Sequence, residues 1–176
     1  MNLLKKSGFD FNAHRTRGIP HKIFAEHFIT SGLCLNPTIN WITFQGSVDF
    51  GYLLKSLLGE DSLPQNEKAF FELMRFHFIN FFDVKEIRRD IMHLNQGGLA
   101  KLAKDLDIER IGTIHQAGSD SLITSQVFFK IKEMYRKWVP GKEVETKFNG
   151  SIYGLGDSTN EEAYIDEYKN LTQEFS

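Results

Sequence analysis

Trp41-Ile42-Thr43-Phe44, closed by Gly46-Ser47 and followed by Asp49-Phe50-Gly51-Tyr52-Leu53-Leu54, is the stretch that decides the fold. The first four residues are β-prone and follow Pro37 and Asn40, which reads as a buried strand. Asp49 sits where a helix would begin, Leu57 and Leu58 continue its apolar side, and Gly59 ends it. Downstream, Glu67 to Phe78 is a second helical stretch with Phe70, Phe71, Met74 and Phe78 as its buried stripe. Ile79 to Val84 then reads as a second strand. Upstream, Lys22 to Ser31 places Ile23, Phe24, His27 and Phe28 on one side at helical spacing, with Gly32 as the stop. Further on, Gly97-Gly98 breaks the chain before a short helix through Leu99, Leu102 and Ala103. A last helix is expected from about Ser119 to Tyr135, with Leu122, Ile123, Val127, Ile131 and Met134 or Tyr135 facing inward. Strands alternating with helices predict an α/β arrangement of parallel strands flanked by helices. Beyond Trp138 the chain turns polar and acidic, and from about Asp157 a poorly ordered tail is expected.

The bulk composition limits the alternatives. The chain of 176 residues is long enough for one domain with a sizeable core. Sixteen Phe residues imply a core packed largely with rings. No run approaches the roughly 20 apolar residues that a membrane span needs, and no signal-peptide pattern follows Met1. No membrane association is therefore expected. Cys34 is the sole cysteine, so no internal disulfide can form and a reducing compartment is expected. A net charge of −2 argues against a broad non-specific grip on nucleic acid. It leaves room for an enzyme that holds its substrate in a narrow pocket.

Three residues stand where chemistry is usually placed, at element boundaries. Asp49 follows the first strand at the carboxyl end of the expected sheet, where open α/β folds bind ligands. His115 and Asp120 belong to His115-Gln116-Ala117-Gly118-Ser119-Asp120, the turn that opens the last helix. A carboxylate in a first helical turn is favoured by the backbone dipole, and converging carboxylates call for a hard divalent cation such as Mg²⁺ or Mn²⁺. The plainer readings stand beside this one. Asp at a helix start is most often a cap, and a single loop His is more often hydrogen-bonded than catalytic. His14, His21, His27, His77 and His93 lack metal-ligand spacing and read as structural or surface groups. Gly97-Gly98 lacks the rest of a phosphate loop, and no nucleophile elbow is present.

Beyond this point a resemblance carries the reading. Trp41 to Phe44 with Asp49 to Leu54 resembles the second exonuclease segment of the Caf1/Pop2 deadenylases. Phe82-Asp83-Val84-Lys85 resembles the strand that follows, and Asn95-Gln96-Gly97-Gly98-Leu99 the family's glycine turn. Glu109-Arg110-Ile111-Gly112 with His115 to Leu122 is similar to the third exonuclease segment of the DEDDh superfamily in its Caf1 form. Tyr153-Gly154-Leu155-Gly156 is similar to the closing segment. The resemblance covers about residues 3 to 156, an expected partial exoribonuclease domain over 1–156 with a polar tail over 157–176.

The resemblance implies a ribonuclease-H-like fold that removes 3′-terminal adenylates from mRNA tails with two divalent ions, Mg²⁺ or Mn²⁺. It assigns Asp120 and Asp49 as metal ligands and His115 as general base. It also implies work in nucleus and cytoplasm, with poly(A) RNA, a Ccr4–Not scaffold subunit and a second deadenylase as partners. The family's opening Asp-x-Glu segment has no counterpart in residues 1 to 48. Two of the four carboxylates and the central hairpin strands are therefore expected to be absent, leaving a truncated fold. The residues before Asp49, Gln45-Gly46-Ser47-Val48, and Thr113-Ile114 before His115 also depart from the usual pattern. Little trimming and self-association through an unpaired strand edge follow as expectations. The alternative is a catalytically silent interaction module of the Ccr4–Not complex. A DEDDh exonuclease acting on DNA or short oligonucleotides is a further alternative, against which the Caf1-specific series argues.

Overall fold

The computed structural model describes residues 2–59, 63–91, 94, 96–138, 141 and 143–155. His93, Asn95, Gly156 and the expected tail lie outside these. In chain order, helices α1 (Asn2–Lys6), α2 (Phe11–Arg17) and α3 (His21–Thr30) precede strand β1 (Asn40–Thr43). Helices α4 (Ser47–Leu58) and α5 (Glu67–His77) then lead to β2 (Asn80–Asp83). The short α6 (Val84–Ile87), α7 (Leu99–Asp105), the long α8 (Ala117–Trp138) and α9 (Val144–Phe148) follow.

The two strands pair in parallel, with Trp41 opposite Phe81 and Ile42 opposite Phe82. Parallel neighbours need a crossover between them, and α4 with α5 supplies it. Side chains alternate across a strand, so each strand feeds two cores. Trp41 and Phe81 join Phe50, Leu54, Met74 and Phe78 beneath α4 and α5. Ile42 and Phe82 join Val84, Ile87, Leu102, Val127 and Ile131 on the side of α7, α8 and α9. Helices on both faces of a parallel sheet make this the expected α/β architecture. The aromatic content is spent here: Phe78 lies 5.2 Å edge-on to Trp41, and Phe50 stands 5.4 Å from Phe78 and 5.5 Å from Phe81. Cys34 is buried beside this ring cluster, and burial pushes its thiol up from the ordinary value.

Two expectations need correction. The apolar side of α3 is largely in solvent: Ile23 and Phe24 are exposed, Ala25 is the buried position, and Phe28 is half-buried against Trp41. Amphipathic spacing specifies a face but not what covers it. On α8, Leu122 is exposed and Phe128 takes the buried place against Phe82. The polar segment after Trp138 packs through its few apolar residues. Val144, Phe148 and Ile152 are all buried, and the backbone N–H of Gly150 donates to the Phe81 carbonyl at 2.9 Å. The helix α2 escaped the sequence reading, although Asp10 caps it by accepting from the backbone N–H groups of Asn12 and Ala13.

The two strands differ in cover. In β2, Phe81, Phe82 and Asp83 are buried, and its outer edge is closed by Asn149, Gly150 and Ser151. In β1, Trp41, Ile42 and Thr43 are only half-buried. Among the described residues β2 is its one strand partner. Half-burial of apolar strand residues in a two-faced α/β sheet is the signature of an edge position.

Candidate active site

Asp83, which sequence reading treated as a strand residue, organises the carboxyl end of the sheet. It is fully buried, and its carboxylate accepts four backbone N–H groups. These come from Gln45 at 2.8 Å, Gly46 at 2.9 Å, Lys85 at 2.9 Å and Tyr153 at 3.2 Å. Charge-assisted bonds of this kind are strong, and a buried charge is tolerated only when so satisfied. One side chain thereby ties together the turn after β1, the start of α6 and the closing segment. The turn itself demands glycine, because a Cβ at Gly46 would sit 2.3 Å from Thr43 Oγ1. Gln45 adopts a left-handed φ of 62°, and its side-chain oxygen accepts from Lys85 Nζ at 2.7 Å. An Asp ending a strand just before a helix is an N-cap pattern. That signal was in the sequence, but the long-range bonds to residues 45, 46 and 153 were not.

This turn launches α4 and places Asp49 in its first turn, exposed to solvent. The plain reading of Asp49 as a cap does not hold. The N-cap is Gly46, without any side-chain bond. The carboxylate is free to meet a ligand, with the helix dipole favouring its charge.

Asp120 lies on α8, which packs against β1, and His115 lies in the loop just before that helix. His115 is exposed and takes a left-handed φ of 66°, an uncommon conformation for a non-glycine residue. Its neighbour Gln116 donates from Nε2 to the Ser7 carbonyl at 2.9 Å, anchoring the loop to the segment after α1. Asp120 stands in the first turn of α8, half-buried, and accepts a hydrogen bond from Arg110 Nη1 at 2.6 Å. The same Nη1 donates to Ser119 Oγ at 3.0 Å, and Ser119 Oγ in turn donates to the Ile111 carbonyl at 2.8 Å. Arg110 was quoted in the motif but given no role from sequence. A cation ten residues before the carboxylate can be placed only by the loop between them.

Among the described residues no group of three or more His, Cys, Asp and Glu side chains stands together as a metal site. Asp49, His115 and Asp120 are all described, and they do not form one. Two carboxylates, one of them already bound to a guanidinium, are too few hard anionic donors for a pair of divalent ions. The residues present do not fit a two-ion cluster.

The likeness to known proteins extends over most of the chain. No family model matches. A probable CCR4-associated factor 1 homolog 7 of Arabidopsis thaliana is 44% identical over 156 residues, 89% of this chain and 54% of that protein. The poly(A) ribonuclease pop2 of Schizosaccharomyces pombe is 39% identical over 90% of this chain and 45% of its own length. CCR4-NOT transcription complex subunit 7 of Caenorhabditis elegans is also 39% identical, over 90% of this chain and 51% of that protein. Among solved structures, S. pombe Pop2p in its Mg²⁺- and Mn²⁺-bound form superposes with a TM-score of 0.77 at 38% identity. The match covers 88% of this chain and 59% of that one. Yeast CAF1 co-crystallised with the NOT1 MIF4G domain gives 0.74 at 27% identity, covering 85% and 59%. The chain thus spans about half the length of the curated relatives it matches. Sequence order, shared fold and identity across nine-tenths of these residues make the chain, over the stretch it spans, a homologue of the Caf1/Pop2 proteins.

Proposed function

We propose that this chain carries the Asp49, His115 and Asp120 portion of a 3′-to-5′ poly(A)-trimming exoribonuclease site, and that the chain alone is catalytically silent. The observation that carries the first half is the 39% identity to a poly(A) ribonuclease across nine-tenths of the chain. Asp49 and Asp120 are the anionic groups, each in a first helical turn where the dipole favours negative charge. His115 is the base that takes a proton from the attacking water, a role suited to a solvent-reached imidazole near neutral pH. The divalent ions bound by Pop2p would supply charge neutralisation at phosphate in a complete site.

The second half rests on the donor count and on the guanidinium of Arg110 already seated on Asp120. This specific pairing favours the reading of the isolated chain as an interaction module of a Ccr4–Not assembly in nucleus and cytoplasm. There it would meet a scaffold subunit and a second deadenylase. Self-association through β1 belongs to the same reading.

A chimera separates the two halves. The segment of S. pombe Pop2 that matches this chain is replaced by this chain's residues, and trimming of 5′-labelled oligo(A) is followed in Mg²⁺. Trimming is expected, with loss of about 10²–10⁴-fold for His115→Ala and abolition for Asp49→Ala or Asp120→Ala. A folded chimera that trims unchanged after these substitutions would overturn the site assignment.

A further inference from the structure

We propose that Asn149-Gly150 is a deamidation site gated by the fold. The pair reacts when the closing segment leaves the outer edge of β2, and the product no longer closes that edge. The site stands apart from Asp49, His115 and Asp120 and does not depend on the nuclease reading.

The sequence supplies the reactive pair: Asn149-Gly150 is the sole Asn-Gly step in the 176 residues. The backbone nitrogen after an Asn can attack the side-chain amide carbon, and glycine, lacking a Cβ, obstructs that approach least. The fold itself requires this glycine. Gly150 holds a left-handed φ of 83°, and a Cβ there would stand 3.3 Å from Arg75 Nε. Asn149 is exposed, so the water that completes the reaction has access.

In the closed chain both reacting groups are occupied. The Gly150 N–H donates to the Phe81 carbonyl at 2.9 Å, which holds the proton the nucleophile must give up. The Asn149 side-chain oxygen accepts from the Phe81 N–H at 3.1 Å, and its Nδ2 donates to Asn80 Oδ1 at 3.0 Å. Asn80 Nδ2 donates in turn to the Pro37 carbonyl at 2.8 Å, which fixes the end of the amide that faces Asn149. Local opening of residues 149–151 frees both groups at once.

Gly150 N then bonds to Asn149 Cγ, the Cγ–Nδ2 bond breaks, and Nδ2 leaves as ammonia with the proton that Gly150 N releases. Solvent water opens the succinimide at either carbonyl, giving aspartate or isoaspartate, with no oxidation or reduction. Both products disturb the edge. Aspartate has no N–H for Asn80 Oδ1 and sets a carboxylate oxygen against it. Turning the Asn80 amide to donate would forfeit its bond to Pro37. Isoaspartate adds a methylene to the backbone between residues 149 and 150 and carries the Gly150 N–H away from the Phe81 carbonyl. The outer edge of β2 then joins β1 as an open edge.

The full 176-residue chain, folded or unfolded in guanidinium chloride, is incubated at mildly alkaline pH. Peptide mass spectrometry follows conversion of the Asn149 amide to acid, and chromatography resolves isoaspartate. Conversion is expected in the unfolded chain and should be about tenfold slower or more in the folded one, the factor set by local opening. Asn80→Ala removes the acceptor of Asn149 Nδ2 and should speed conversion in the folded chain about threefold or more, with the unfolded rate unchanged. Asn149→Asp should speed amide hydrogen exchange at Gly150, read by NMR, by about fivefold or more. No conversion in the unfolded chain would overturn the site, and equal rates in folded and unfolded chains would overturn the gate. Unchanged exchange at Gly150 in Asn149→Asp would overturn the release of the edge. The comparison of folded with unfolded chain uses the wild type, so it decides the gate whether or not Asn80→Ala folds.

Discussion

Asp83, at the start of α6, and Asp120, in the first turn of α8, are both carboxylates, yet they are held in opposite ways. Asp83 is sealed from solvent by four backbone N–H groups drawn from three segments of the chain. Asp120 is one-third exposed and held by the tip of one long side chain. Backbone donors cannot leave without unfolding the turn, whereas a guanidinium on a flexible stem can swing away. The first arrangement is built into the backbone, and the second rests on one side-chain ion pair.

The largest expected effect breaks the first arrangement. Asp83→Ala removes a fully buried carboxylate and leaves four backbone N–H groups without their acceptor, and should destabilise the fold by about 3–5 kcal/mol, the scale for breaking a buried charged network. Urea unfolding measures it. A loss below about 1 kcal/mol would mean that the turn after β1 is held by something else.

Arg110→Ala sharpens the contrast. Because Asp120 is partly exposed, the pair is screened and the same measurement should show a cost of only about 1 kcal/mol. A loss as large as that at Asp83 would make the pair structural and immobile. At the small end, Lys101→Ala removes an exposed i,i+4 partner of Asp105 and should cost less than about 0.5 kcal/mol. The edges of the sheet offer a parallel test. With β2 closed by residues 149–151 and β1 open, sedimentation should show concentration-dependent self-association that excess β-breaking charge on β1, as in Ile42→Lys, reduces. That substitution enters a half-buried site, so its fold must be verified alongside.

The same contrast explains how far sequence could be read. Strands, crossover helices and the parallel pairing were legible because they follow from local periodicity: Trp41 to Phe44, Phe71 with Met74, Ile123 with Val127. Asp49, His115 and Asp120 were singled out by their places at element boundaries and then by the resemblance, and Asp49 and Asp120 fall in first helical turns as expected. What was not legible is long-range. The four bonds of Asp83 join residues up to 70 positions apart. The cover on Val144, Phe148 and Ile152 comes from α6, α8 and the ring cluster rather than from their polar neighbours. The exposure of Ile23 and Phe24 depends on which surfaces meet, a matter no helical period encodes.

The claim that the donors among the described residues are too few for two ions is tested most directly by incubating the chain with 5′-labelled oligo(A) in Mg²⁺ or Mn²⁺, beside S. pombe Pop2. The account predicts that the substrate keeps its length with this chain while the relative shortens it. Stepwise 3′ shortening by this chain, abolished by Asp120→Asn, would contradict it.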